Sequence, residues 1–105
     1  MARFDVYVNT GALASTTPYL LDVQSNLLDG LESCVVIPLR SLDHYAKVKL
    51  PTRLTPVFPI LGRDCLLETP KMAAVPRRIL RDCVASLSQE QARITAALDF
   101  LFQGY

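Results

Sequence analysis

The sequence predicts a mainly β domain closed by one C-terminal α-helix. Three observations carry this. Short apolar runs recur between turn residues, as in Phe4-Asp5-Val6-Tyr7-Val8 and the β-branched run Cys34-Val35-Val36-Ile37. Gly62-Arg63-Asp64 separates two further runs at the spacing of a hairpin. A sustained helical period begins behind Ser88-Gln89-Glu90-Gln91, which fits a capping box with Ser88 as N-cap and Gln91 reaching back.

The first strand is expected at 4–8, where apolar and mixed positions alternate. Residues 9–18 are rich in Thr, Ser, Gly and Pro and read as a loop. Residues 19–24 are a second strand candidate, Asp29-Gly30 is a turn signal, and the third strand lies within 33–39. Residues 41–49 are ambiguous: Leu42, Tyr45 and Ala46 have helical spacing over a short stretch bounded by Pro51. The hairpin joins 53–61 to 65–69. Pro56 and Pro59 fall in its first arm, and proline cannot donate to a ladder, so that arm belongs at an edge or carries a bulge.

The helix is expected from about Gln89 to Leu101. Ile94, Ala97, Leu98 and Leu101 share one face, bordered by Gln91, Thr95 and Phe102. Asp99 and Gln103 lie one turn apart on the opposite side, with Ala92 and Ala96, and Gly104 ends the helix. Phe100 points away from the apolar stripe and is a candidate for a second contact. Phe102 and Tyr105 either complete the core or meet a partner.

The chain has 105 residues, half of them apolar. One domain of this size buries roughly two-thirds of the surface its unfolded chain exposes. Eleven Lys and Arg against ten Asp and Glu leave a charge of +1, which gives no global argument for a nucleic-acid surface. Cys34, Cys65 and Cys83 are odd in number and widely spaced without a CxxC, so they read as free thiols in a reducing compartment. No run approaches the ~20 apolar residues of a membrane span. Met1-Ala2-Arg3-Phe4-Asp5-Val6 lacks the apolar run of a secretory signal, and the expected location is the cytoplasm.

Recognisable catalytic chemistry is sparse. His44 is the single histidine; a Cys–His pair and an exposed histidine without a task are both open. One histidine and scattered cysteines give no metal-ligand spacing, and no GxGxxG or GxxxxGK occurs, so no metal, cofactor or catalytic residue is expected. Asp22 and Asp29 are a carboxylate pair whose separation the sequence leaves open. Arg77, Arg78 and Arg81 form the one basic cluster: a solvated face, a dock for an acidic peptide, or a phosphate contact shared with other chains. Met72-Ala73-Ala74-Val75-Pro76 reads as core or subunit interface.

An ordered set of segments then resembles the CcdB family, toxins of toxin–antitoxin modules that poison DNA gyrase. The segments are Asp22-Val23-Gln24-Ser25 with Leu27-Leu28-Asp29, Val36-Ile37-Pro38-Leu39, Met72-Ala73-Ala74-Val75-Pro76, Leu87-Ser88, and Ala97-Leu98-Asp99-Phe100-Leu101-Phe102-Gln103-Gly104-Tyr105. They span essentially the whole chain. The resemblance implies an SH3-like barrel, shared with the Kid and MazF toxins, with a main antiparallel sheet, a small extra sheet and the C-terminal helix. It implies a homodimer that binds the A subunit of gyrase and traps cleaved DNA. It also implies a CcdA-like antitoxin, through which alone the complex meets DNA and represses its operon. The implied gyrase-binding residues are Asp99, Gln103, Gly104 and Tyr105, the turn residues Ser25, Leu27 and Leu28, and Phe4 and Tyr7 nearby.

One departure bears on function. The best-known family ending is Trp-Gly-Ile, and Gln103 stands here in place of the Trp. Loss of an aromatic anchor typically costs ~2 kcal/mol or more at a hot spot, about thirtyfold in affinity. Tyr105 offers a ring two positions later. A dimer that binds antitoxin but has lost gyrase poisoning is therefore the alternative, and RNA cleavage on the same fold is a third reading without a recognisable acid–base arrangement behind it.

Overall fold

The computed structural model describes residues 2–44 and 51–105. Tyr45 and Ala46, which carry the ambiguous helical spacing, lie outside the described residues, as does the side chain of His44. The strands are β1 (Asp5–Val8), β2 (Tyr19–Asp22), β3 (Ser33–Ser41), β4 (Val57–Ile60), β5 (Arg63–Leu67), β6 (Ala73–Pro76) and β7 (Cys83–Ser86), and α1 spans Gln91–Gln103. The strands form one antiparallel sheet in the order β4-β5-β3-β2-β1-β7, with β6 also paired to β3. It curls into a half-barrel, the mainly β, SH3-like class expected from the sequence.

β3 organises the sheet. β2 pairs with one flank, aligning Leu21 with Ile37 and Tyr19 with Leu39. The opposite flank is shared: β5 pairs near Leu39, and β6 pairs from Ser33 to Val36. Pro38 sits where β3 changes partner. Its carbonyl accepts from the Glu68 N–H at 2.9 Å, so its missing donor falls in the gap between the two ladders. The β4–β5 hairpin is thus continuous with the main sheet rather than a separate small one.

Alternation sorts the apolar residues onto two faces. Phe4, Val6, Leu21, Ile37, Leu39, Phe58, Ile60 and Leu67 form the larger core with Ile94 and Ala97 of α1. On the opposite face Tyr7, Leu20, Cys34 and Val36 pack beneath Leu80. Each full burial of such a side chain contributes about 1.5–3 kcal/mol, so both faces fix the register.

β4 is an edge strand, as Pro59 within it requires; Pro59 lies opposite Asp64, and Pro56 falls just before the strand. The hairpin turns at Leu61 and Gly62, with φ of 51° and 80°. Two successive positive φ values are the signature of a type I′ turn.

The expected start of the helix needs correction. Ser88 does not cap α1. Residues Ser88–Glu90 form a 3-10 turn and Glu90 is the N-cap, without a side-chain capping bond. The Glu90 carboxylate instead pairs with Arg93 at 2.9 Å. α1 therefore starts two residues later than expected and runs to Gln103. Phe102 is 68% exposed and lies outside the core. β6 and β7 were not legible as strands: Ala73, Ala74 and Cys83 are exposed, so neither shows a clean period of two.

Candidate functional site

Two surfaces gather the expected contact residues. The first is the end of α1. Asp99, Gln103, Gly104 and Tyr105 are all exposed, Tyr105 by 72%. Gly104 adopts φ 81°, and its N–H donates to the Phe100 carbonyl at 2.9 Å, so the chain leaves the helix through a left-handed residue. Phe100 has a partner in its own chain, the Arg53 guanidinium 5.6 Å from the ring centroid.

The second surface is the segment between β2 and β3. Ser25 accepts from the Leu27 N–H through its hydroxyl at 3.2 Å and caps a 3-10 turn, Asn26–Leu28. This turn lifts Leu27 almost wholly into solvent, 94% exposed, and leaves Leu28 and Leu31 about half exposed. Three exposed leucines thus fall within one short loop.

The loop is tied at both ends and across its neck. Gln24 bridges the neck: its Nε2 donates to the carbonyls of Ser33 (3.2 Å) and Leu28 (3.4 Å), and its Oε1 accepts from the Val35 N–H (3.1 Å). The Arg3 N–H donates to Asn26 Oδ1 at 2.7 Å, and Arg3 Nε donates to the Val23 carbonyl at 3.0 Å. From the far side, Arg77 Nε donates to the Leu31 carbonyl at 2.9 Å and Nη2 to the Leu28 carbonyl at 3.4 Å.

Phe4 and Tyr7 do not present surface. Phe4 is 4% exposed and lies in the core beneath α1, and Tyr7 is buried on the opposite face. Phe4 nonetheless shapes the site. It has φ 73°, a strained value for a bulky residue, at the third position of a turn closed by Asp5 N–H to the Ala2 carbonyl at 3.1 Å. That turn sends the ring inward while Arg3 reaches the loop and stacks 4.6 Å from the same ring.

The two surfaces are not joined by any hydrogen bond or ion pair among the described residues. The basic cluster is also divided. Arg77 is engaged with the loop and with Asp29 at 3.9 Å, whereas Arg81 donates to the Arg78 carbonyl at 3.1 Å. Asp22 is buried and accepts from the Gln24 N–H at 2.9 Å, while Asp29 is half exposed beside Arg77. The two carboxylates, whose separation the sequence left open, thus serve separate contacts.

Buried titratable groups lie on both faces of the sheet. Burial, helped by hydrogen bonding to Asp22, pushes the Cys34 thiol up to about 12. Burial pushes Tyr7 up to about 12, with Asp5 the next cause. Burial also raises the Cys65 thiol. Thiolates are the reactive form, so burial disfavours reaction at Cys34 and Cys65. Among the described residues no three of His, Cys, Asp and Glu could hold a metal ion. No helix of the described residues is long and apolar enough to cross a membrane.

Reading the sequence alone missed the parts of the site that hold it in place. Leu31, Asn26 and Arg3 gave no signal. Gln24 and the arginine cluster were visible, but only the fold brings Arg77 to a loop 46 residues earlier. A family model described as CcdB protein matches residues 3–104 of the chain.

Proposed function

The chain belongs to the CcdB family of toxin–antitoxin toxins, and from that premise we propose that it binds the A subunit of DNA gyrase and traps the cleaved-DNA complex. Asp99, Gln103, Gly104 and Tyr105 make the principal contact, and Ser25, Leu27 and Leu28 make a second. The protein acts as a cytoplasmic homodimer. A CcdA-like antitoxin neutralises it, and the two together repress their operon with the antitoxin touching DNA. The mechanism is binding, not catalysis: preferential affinity for the cleaved state holds gyrase there.

The observation that carries this reading is the end of α1. Helix ends in small domains are commonly polar and frayed. This one presents Phe102 and Tyr105 to solvent beside an ordered left-handed Gly104. Exposed rings on a rigid stem are suited to act as hot-spot anchors. The subunit contact falls to β6, whose Ala73, Ala74 and Pro76 are exposed although the strand is apolar. Small apolar residues on a strand allow close approach of a second copy.

The test is gyrase-dependent DNA cleavage by the purified protein. Linear DNA released on denaturing the gyrase is the expected product, lost when Gly104 and Tyr105 are deleted. No cleavage and no binding to the A subunit sinks the proposal.

One observation favours the alternative. Gln103 stands where the best-known relatives carry Trp, and its side chain cannot stack as a ring does. A dimer that binds antitoxin but does not poison gyrase would leave cells growing when expressed without antitoxin; growth arrest excludes it.

A further inference from the structure

We infer that Arg77 is a positioning residue for the leucine loop, holding its backbone in the shape that meets the partner. The inference rests on the proposed gyrase contact and deepens it. Arg77 lies in the 3-10 turn Arg77–Ile79 that follows β6, 46 residues beyond the loop carbonyl it contacts. Its side chain is 18% exposed and reaches three groups of the loop. Nε donates to the Leu31 carbonyl at 2.9 Å, Nη2 to the Leu28 carbonyl at 3.4 Å, and Nη1 lies 3.9 Å from the Asp29 carboxylate. Its own N–H donates to the Glu32 carbonyl at 2.7 Å.

These contacts address what the loop otherwise lacks. Apart from its 3-10 turn, the loop has no ladder of its own, and its leucines face solvent instead of a core. An apolar loop free to move would lose conformational entropy on binding and would hide its leucines when unbound. A planar guanidinium donates in fixed directions, so one side chain sets two carbonyls and a carboxylate together. A lysine carries the same charge without that fork.

Gln24 closes the opposite side of the loop, donating to the same Leu28 carbonyl at 3.4 Å. The Leu28 carbonyl thus lies between two side chains from different strand ends, while Leu27 beside it stays clear of both. Recognition and support are separated: the leucines point out, and the polar groups point back.

The experiment compares the full chain with Arg77→Ala and Arg77→Lys by amide hydrogen exchange and by titration against the isolated gyrase A subunit. In Arg77→Ala the amides of Leu28, Asp29 and Leu31 exchange roughly tenfold faster or more, while those of Ile37 and Leu67 keep their protection. Affinity for the A subunit falls by roughly tenfold, and Arg77→Lys falls between the two. Unchanged loop exchange overturns the inference, as does faster exchange with unchanged affinity. Arg77→Lys keeps the test open if Arg77→Ala loses its core protection. If the unaltered chain does not bind the A subunit, the proposed target is wrong, and the exchange data alone still decide whether Arg77 orders the loop.

Discussion

Arg93 of α1 lies 4.5 Å from the centroid of the Phe58 ring and donates to the Val57 carbonyl at 3.2 Å. One side chain thereby fastens the helix to the edge strand β4 through both a ring face and a backbone acceptor. Among the described residues β4 pairs with β5 alone, and it carries Pro59, so its outer side depends on such a contact. Arg93 is about half exposed, and its pair with Glu90 contributes little in water. We expect Arg93→Ala to lower stability by about 1 kcal/mol, chiefly from the ring contact and the carbonyl bond. Urea denaturation checks this, and an unchanged midpoint would show that the contact does not hold β4.

Phe4 joins a strained backbone to a buried ring. Phe4→Ala removes the ring and costs about 3–5 kcal/mol. Phe4→Gly removes the same ring but also relieves about 1 kcal/mol of left-handed strain. The glycine variant should therefore be the more stable of the two, the reverse of the order in a regular strand. Thermal denaturation of both variants decides it; a more stable alanine variant would refute the strain account.

The fold was readable where one residue's neighbours in sequence are also its neighbours in space. The β-branched run of β3, the proline of β4 and the period of α1 each report a local environment. β6 escaped because its strand character comes from pairing with β3, not from its own alternation. The capping box failed because residues Ser88–Glu90 wind into a 3-10 turn and the Ser88 N–H donates to Ser86 Oγ at 3.3 Å, a partner that the motif does not encode. The site divides in the same way. The exposed end of α1 follows from helical geometry, whereas the clamp on the leucine loop needs Arg3 and Arg77 to reach it from 23 and 46 residues away and meet the local Gln24.

Alkaline pH should destabilise the protein through the buried face of the sheet. Cys34 titrates at 9.0 when free and at about 12 when folded. Tyr7 moves from 10.0 to about 12. Between these limits the unfolded chain has released protons that the native state keeps, so stability falls as pH rises. Below pH 9 the Cys34 contribution is fully present. The urea midpoint should fall progressively from about pH 9 toward 12, with a shallower slope in Cys34→Ala. An equal slope in that variant would remove Cys34 from the account.

Gly104 tests how far the direction of the final residue matters. Its φ is 81°, and a Cβ placed there would meet nothing within 4 Å. Gly104→Ala is therefore opposed by backbone conformation alone, at about 1 kcal/mol. The end of the helix can avoid that cost by unwinding, which leaves global stability almost unchanged but re-aims Tyr105. We expect the melting temperature of Gly104→Ala to stay close to that of the unaltered chain while affinity for the gyrase A subunit drops by roughly fivefold. A D-alanine installed at 104 by semisynthesis favours positive φ and should restore binding. Equal affinity for the L- and D-alanine proteins would mean that the partner does not read the direction set by Gly104.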